Sequence, residues 1–176
     1  MTTYALDPVH SSVGFSVKHM MISKVHGSFE KFSGKLQYDK NHAEKSFAEA
    51  TIEAASIHTR ESQRDEHLRS PDFFDTGQYP TLTFKSRLFT DAGQGELKVM
   101  GDLTIKGVTK QVMLDVEGPT DEIKDPYENI KIGLYAQTKI NRKDFGLNWN
   151  AILEAGGVLV GEEVTITLDL QFIKTA

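Results

Sequence analysis

Apolar and polar residues alternate along most of this chain, most clearly between Leu97 and Phe172. The alternating apolar positions are Leu97, Val99, Leu103 and Ile105; Val112, Leu114 and Val116; Ile130, Ile132, Leu134, Ala136, Thr138 and Ile140; and Val164, Ile166, Leu168, Leu170 and Phe172. Side chains on a strand point alternately to opposite faces of a sheet. The period of two therefore predicts long strands with one apolar face and one polar face.

The first part of the chain shows the same alternation in shorter pieces. One strand is predicted over residues 13–19 and a second over residues 25–38. Within the second strand the apolar phase changes sides near Glu30 and Lys31, which predicts a β-bulge at that point. Alternating residues 48–54 and 82–88 predict two further strands.

The alternation stops between residues 56 and 80, where the chain becomes strongly polar. Thr59 is a plausible N-cap, and the polar residues behind it predict a short helix near residues 59–69 that ends before Pro71. Residues 91–95 and the pair Lys106-Gly107 have the composition of hairpin turns. Residues 121–129 and 141–161 are predicted to be longer irregular loops.

These elements add up to about eight strands and predict an all-β fold in one domain over residues 1–176. Antiparallel strands remove their exposed edges best by closing, and about eight tilted strands enclose room for side chains or for one slender ligand. We therefore expect a single extended eight-stranded antiparallel β-barrel with a short helical insertion near residues 59–69. Two packed sheets, whose strands are usually shorter, are the alternative architecture.

The charge and composition exclude several classes of function. A formal net charge of −5 gives no basic footprint for nucleic acid, and the absence of cysteine removes disulfides and thiolate chemistry. No stretch approaches the roughly 18 consecutive apolar residues of a membrane span. The first residues resemble no signal peptide, so we expect a cytoplasmic protein; a periplasmic or secreted protein in its trimmed mature form is the alternative.

The search for catalytic motifs returns little. The chain contains neither G-x-S-x-G nor H-E-x-x-H, and Gly93-Gln94-Gly95 lacks the third glycine of a dinucleotide-binding loop. We predict no enzymatic activity, no cofactor and no metal. The six histidines contain no closely spaced ligand pair, although residues distant in sequence can meet in a barrel, so a three-histidine site stays open.

Two segments look too specific to be plain scaffolding, namely residues 64–74 and residues 141–149. In one interpretation of the first segment, Leu68, Phe73 and Phe74 cap the open end of the barrel. In the other, its aromatic residues line a ligand entrance, where Arg64 and His67 donate hydrogen bonds to an anionic head group. For the second segment we favour a structural corner over direct ligand contact. Arg142 and Asp144 would hold that corner and Phe145 would be buried.

Motifs spread over the whole chain resemble those of the YceI-like family of polyisoprenoid-binding proteins. They are Asp7-Pro8-x-His10-Ser11-x-Val13-x-Phe15 with His19; Gly27-x-Phe29-x-x-Phe32-x-Gly34; Ser56-Ile57-x-Thr59; Arg64-Asp65-x-His67-Leu68-x-Ser70-x-Asp72-Phe73-Phe74; Tyr79-Pro80; Gly101-x-Leu103-Thr104-x-x-Gly107-Val108-Thr109; Asn141-Arg142-x-Asp144-Phe145-Gly146; and Gly161-x-x-Val164. The resemblance implies a bacterial, lipocalin-like barrel that binds or transports amphiphiles such as isoprenoid quinones and has no established catalytic activity. Many relatives begin with a secretion signal, which this sequence does not show.

We therefore predict a non-enzymatic binding or carrier protein for a polyisoprenoid or another long-chain amphiphile. The predicted head-group residues are His19, Arg64 and His67. The predicted tail residues are Val13, Phe15, Val17, Phe32, Ile52, Phe74, Phe84, Leu103, Leu114, Leu134, Ala136, Phe145, Trp149, Ile166 and Leu168.

The alternatives are a filled barrel that serves as an interaction or stress-response module and binds lipid only incidentally, and an enzyme that acts on a lipidic or quinone-like substrate. The small inward residues at positions 48, 50, 54, 101 and 136 fit either an open channel or a closed wall. Tyr135, on the outward phase of its strand, leaves a homodimer open.

Overall fold

A computed structural model describes residues 1–176, which form twelve strands and one α-helix. The strands are β1 Thr2–Leu6, β2 Ser12–His19, β3 Ser23–Phe29, β4 Phe32–Tyr38, β5 Phe47–Glu53, β6 Ile57–His58, β7 Thr81–Gly93, β8 Glu96–Ile105, β9 Val108–Glu117, β10 Ile123–Lys124, β11 Ile130–Asn141 and β12 Val160–Lys174. The helix, α1, spans Ser62–Arg69, and single 3-10 turns lie at Pro8–His10, Ala43–Lys45, Ala54–Ser56 and Arg142–Phe145. No helix is both long and apolar enough to span a bilayer.

Eight of these strands close into an antiparallel barrel, as predicted. Their order is β11-β9-β8-β7-β5-β4-β1-β12, and a long pairing between β11 and β12 closes the ring. Along its other edge, β12 pairs first with β2 and then with β1. The strands β2, β3 and β6 therefore extend the wall beyond the ring at one end.

The predicted strand over residues 25–38 is two strands in the structure. β3 pairs with β2, whereas β4 pairs with β1, so the chain changes partners at Glu30 and Lys31. The 3-10 turn at Pro8–His10 separates β1 from β2 in the same way. The phase change located this break correctly, but the feature is an interruption of the strand and not a bulge.

Three smaller expectations also need correction. β1 was not predicted, and β5 ends at Glu53, one residue before a 3-10 turn that begins at Ala54. The cap of α1 is Glu61, whose carboxylate accepts hydrogen bonds from the backbone N–H groups of the first turn. Thr59 is buried before the helix and donates its hydroxyl hydrogen to Asp65, 2.5 Å away. The helix still ends before Pro71, as predicted.

The two ends of the barrel differ in what surrounds them. One end, called here the helix end, carries α1, the loop between β11 and β12, and the β2–β3 hairpin. The opposite end, called the far end, carries the β7–β8 hairpin and the beginning of β11. Buried apolar residues form one cluster in each half, centred on residues such as Leu36, Ile132 and Phe172 in the far half and Phe29 and Leu82 in the helix half.

Candidate functional site: two adjoining cavities in the barrel

The inward phase of the strands encloses an apolar inner cavity of about 180 Å³. Two charged residues, Lys35 and Glu49, also border this cavity. They face each other across β4 and β5 and are exposed on the outer face of the wall. Eleven of the predicted tail residues line it, namely Val13, Phe15, Phe32, Ile52, Phe84, Leu103, Leu114, Leu134, Ala136, Ile166 and Leu168. The interior is therefore not filled by its own side chains.

Two glycines let large aromatic rings lie flat against this wall. A Cβ atom at Gly101 would come within 2.4 Å of the Phe84 ring, and one at Gly27 would come within 2.3 Å of the Phe15 ring. Either contact is far inside van der Waals distance, so any other residue there would require the ring to move, and at Gly101 the Lys85 carbonyl oxygen, 2.7 Å from the Cβ position, would have to move as well. Of the small residues singled out in the sequence, Ala48, Ala50 and Ala136 line the inner cavity.

A second, outer cavity of about 230 Å³ lies at the helix end, between the strand ends, α1 and the loop that follows β11. Six further predicted residues line the outer cavity. They are the tail residues Val17, Phe74 and Trp149 and the head-group residues His19, Arg64 and His67. Among the predicted residues only Phe145 lines neither cavity; it packs at 1% exposure in the core cluster of the helix half.

The two cavities adjoin, because Phe15, Phe29, Leu82, Ile105 and Ile166 line both of them. The ring of Phe29 lies 5.8 Å from that of Phe15 and 5.8 Å from that of Phe74, so three aromatic rings stand at the junction. A long chain that occupied both cavities would have to pass these rings.

The two segments that the sequence singled out separately meet beside the outer cavity. The His67 ring packs edge-on against Trp149 at 4.6 Å and against Phe73 at 5.1 Å. His67 Nε2 also lies 2.9 Å from a carboxylate oxygen of Asp72. Leu68 and Phe74 line the cavity and Phe73 is buried, so this segment both caps this end of the barrel and lines the outer cavity.

Arg64 is held in place by the residue that precedes the helix. Its Nε donates to the Thr59 hydroxyl at 2.8 Å, and its Nη2 donates to the Thr59 carbonyl at 2.7 Å. These bonds use two of the five N–H donors of a guanidinium, so the group keeps donors and its charge at the edge of the cavity.

Arg142 was predicted only as a structural tie, but it also lines the outer cavity. It is 3% exposed and donates hydrogen bonds to the carbonyls of Gly161 at 2.7 Å, Trp149 at 2.9 Å and Val160 at 3.2 Å, and also to that of Leu147. Burial lowers the pKa of this guanidinium from its ordinary value. Arg142 therefore holds the loop over the outer cavity and also lines it.

The predicted partner role of Asp144 is wrong. Asp144 is exposed and forms no ion pair or side-chain hydrogen bond. Asn150 secures the loop instead, because its side-chain amide donates to the Val160 carbonyl and accepts from the Val160 N–H. The motif predicted the corner, but the identity of its second anchor depended on how the loop folds back.

The charges that line the outer cavity are all of one sign. Arg64 and Arg142 line it together with the histidines His19 and His67, the exposed Lys18 borders it, and no Asp or Glu lines the cavity. This is notable in a chain with 25 acidic residues and a net charge of −5. No group of three or more His, Cys, Asp or Glu is placed to hold a metal ion. The arrangement suits the oxygen atoms of an uncharged or anionic head group.

Comparisons with known proteins place this architecture among characterised folds. The family model described as YceI-like domain matches residues 4–172. A UPF0312 protein of Staphylococcus aureus is 40% identical over 173 residues, which cover 98% of this chain and 98% of that protein.

Solved structures with the same fold come from three other bacteria. BcnA of Burkholderia cenocepacia has a TM-score of 0.81 at 26% identity and covers 94% of this chain and 98% of its own. A YceI protein of Campylobacter jejuni has a TM-score of 0.74 at 30% identity, over 90% of each chain. A polyisoprenoid-binding domain from Saccharophagus degradans, implicated in plant cell wall breakdown, has a TM-score of 0.70 over 99% of this chain; at 17% identity it is alike in fold alone.

Proposed function

The chain belongs to the YceI-like family, and from that premise we propose that it binds a long-chain isoprenoid, or a similar amphiphilic lipid, inside the barrel without transforming it chemically. The observation that carries the proposal is the pair of adjoining cavities, one apolar and one bordered by cations. An amphiphile has the same division between a long tail and a polar head.

The tail occupies the inner cavity and passes the aromatic junction. Its binding depends on the burial of apolar surface, at about 25 cal/mol for each Å² removed from water. A chain that buries about 400 Å² of its own surface would gain roughly 10 kcal/mol before the cost of its immobilisation. Such a wall discriminates weakly between apolar chains, because burial is non-directional.

The head group lies in the outer cavity near Arg64, His67 and His19. Donors from Arg64 remain free, and the lining includes no carboxylate that would repel an oxygen-rich head group. A hydroxyl, quinone carbonyl, carboxylate or phosphate can accept charge-assisted hydrogen bonds in this position.

The alternative of a filled barrel is disfavoured by the interior volume. A barrel that serves only as an interaction module has no need of an apolar cavity of about 180 Å³, since lost packing contacts lower the stability of a core. The alternative of an enzyme depends on the contact between His67 and Asp72, in which a histidine beside a carboxylate resembles an acid–base pair.

The proposal is tested by extracting purified protein with organic solvent, identifying the extract by mass spectrometry, and titrating the delipidated protein with a polyprenol. We expect a bound amphiphile and saturable uptake. In the variant Leu134→Trp an indole fills part of the inner cavity, so uptake should be lost while the urea midpoint changes little. Its matched control is Tyr135→Trp, one residue along β11, because Tyr135 does not line the inner cavity.

Two results would contradict the proposal. One is protein that yields no lipid and takes up no polyprenol. The other is a Leu134→Trp variant, shown to be folded, that binds polyprenol as well as the control does. A pH-dependent turnover of the bound lipid that disappears in His67→Ala would instead support the enzymatic alternative.

A further inference from the structure

The β2–β3 hairpin projects from the helix end with an unusual tip. Met20, Met21 and Ile22 are 42%, 61% and 82% exposed. The Ile22 N–H donates to the His19 carbonyl at 3.2 Å, which closes a turn whose central residues are Met20 and Met21. Both methionines have positive φ, at 54° and 63°. Such turns strongly favour Asn, Asp and Gly at these two positions, so methionine is a poor choice for the fold.

The other hairpin turns of the barrel follow the usual rule. Gln94-Gly95 has φ values of 55° and 76°, and Lys106-Gly107 has values of 51° and 75°. Each of these turns places glycine second and a polar residue first. The β2–β3 turn alone has a large apolar side chain at both central positions, so local conformational preference does not explain its sequence.

A second unfavourable feature lies directly behind the tip. Lys18 on β2 is the register partner of Lys24 on β3, and both are exposed. Neither forms a salt bridge with any carboxylate of the chain. Like charges directly opposite each other on neighbouring strands destabilise the pair. Lys18 also borders the outer cavity, so this pair lies beside that cavity.

The loop before β12 adds a further apolar residue beside the tip. It forms a small hairpin through the bridge between Ile152 and Val158, and the Met20 N–H donates to its Leu159 carbonyl at 2.7 Å. The Met21 sulfur packs on Gly157, where a Cβ atom would lie only 2.4 Å away. Ile152 is 89% exposed. We call Met20, Met21, Ile22 and Ile152 the apolar tip.

We propose that the apolar tip docks on a lipid bilayer surface that contains anionic lipid, and so brings the outer cavity to the membrane. Exposed apolar groups with lysines behind them are the arrangement of an interfacial anchor, in which the apolar part enters the boundary of the acyl chains and the cations meet phosphate groups. The net charge of −5 disfavours general attraction to such a surface, so attachment must be local to this end.

This arrangement accounts for both unfavourable features of the hairpin. The strained methionines and the facing lysines cost stability in the isolated protein, and each gains a favourable contact at the bilayer. Backbone outliers that the fold does not need are commonly found where a protein does its work. The tip lies beside the cavity entrance, where a carrier would exchange a lipid with the membrane.

The experiment is sedimentation of the purified protein with sucrose-loaded vesicles of phosphatidylcholine and phosphatidylglycerol at 3:1, and of phosphatidylcholine alone. The variant Ile22→Ser should keep the urea midpoint and bind vesicles roughly tenfold more weakly, because it removes most of one inserted side chain. Its matched control is Tyr127→Ser at the far end, since Tyr127 is 86% exposed and Ile22 is 82% exposed. The control should bind as the wild type does.

Two further variants separate the roles of shape and charge. In Met20→Asn/Met21→Gly the turn has the residues it prefers, so the hairpin should still form while vesicle binding falls by about tenfold or more. Lys18→Gln/Lys24→Gln should lower binding to the anionic vesicles by roughly tenfold and leave binding to phosphatidylcholine unchanged.

Unchanged vesicle binding in Ile22→Ser and in Met20→Asn/Met21→Gly would overturn the proposal. So would a concentration-dependent dimer in sedimentation velocity that both variants abolish, because the tip would then serve to join two copies of the chain. The vesicle assay uses delipidated protein and needs no bound ligand. Its result is therefore independent of the function proposed above.

Discussion

The inner cavity is lined by apolar side chains from strands all around the barrel, whereas the outer cavity lies between strand ends, α1 and a loop held by one arginine. In the inner cavity each residue supplies a small, interchangeable part of an apolar surface. In the outer cavity a few polar groups are satisfied by specific partners. Conservative apolar exchanges in the inner cavity should therefore have small, distributed effects, whereas removal of one polar partner in the outer cavity should have a large, localised effect.

The largest effect should come from Arg142→Met. This change leaves several loop carbonyls without their donor, and each buried acceptor that stays unsatisfied costs about 1–3 kcal/mol of the free energy of unfolding. Urea unfolding measures that loss, and the fluorescence of Trp149 should shift because its loop is released. Arg87→Met is the control, since Arg87 pairs with Asp102 on the surface at 64% side-chain exposure and should cost less than about 1 kcal/mol. If Arg142→Met and Arg87→Met lose the same free energy of unfolding, Arg142 has no special role in holding the outer cavity.

A smaller effect is expected from acid, and it should begin in the far half of the barrel. Burial alone would raise the pKa of Asp7, but hydrogen bonds from Lys131 and His10 lower it to about 2 from its ordinary 3.8. A carboxyl whose pKa is lower in the folded protein stabilises the fold above its unfolded pKa, and this contribution is lost as the pH falls through the folded value. Stability should therefore fall by roughly 2 kcal/mol between about pH 4 and pH 2 because of Asp7.

The acid effect is checked by urea unfolding as a function of pH in wild type and in Asp7→Asn. The variant should be less stable at pH 6 and should lose less stability between pH 4 and pH 2. Lys131 of β11 contacts Asp7, which follows β1, at 2.9 Å, so amide exchange should increase first around these two strands. If the free energy of unfolding falls equally with pH in both proteins, the loss of stability belongs to other carboxylates.

The most local effect, on the link between the two cavities, should come from Gly27→Ala. The new Cβ atom would displace the Phe15 ring, which lines both cavities. Overpacking of this kind costs about 1–3 kcal/mol. Uptake of a long polyprenol should weaken more than uptake of a short-chain alcohol that fits in one cavity. If uptake of both ligands weakens equally, the aromatic junction does not divide the interior into two cavities.

Much of this fold followed from local pattern. The period of two located all the long strands, because each barrel strand has one apolar face toward the interior and one face toward solvent. The residues that it placed inward, such as Leu103, Leu134 and Leu168, are the ones that line the inner cavity. The phase change near Glu30 located the interruption of a strand but could not reveal that the chain changes partner there, because pairing is a long-range property.

The sequence by itself determined the β-barrel, its apolar interior and the residue types at its helix end. Only the tertiary structure decided whether that interior holds space, because cavity volume depends on how rings such as Phe84 lie against Gly101. It also decided which carbonyls Arg142 binds, that the buried Phe145 lies away from both cavities, and that two methionines share a strained turn. Each of these facts depends on contacts between residues far apart in the chain or on a backbone angle. The alternation of apolar and polar residues encodes neither the contacts nor the angle.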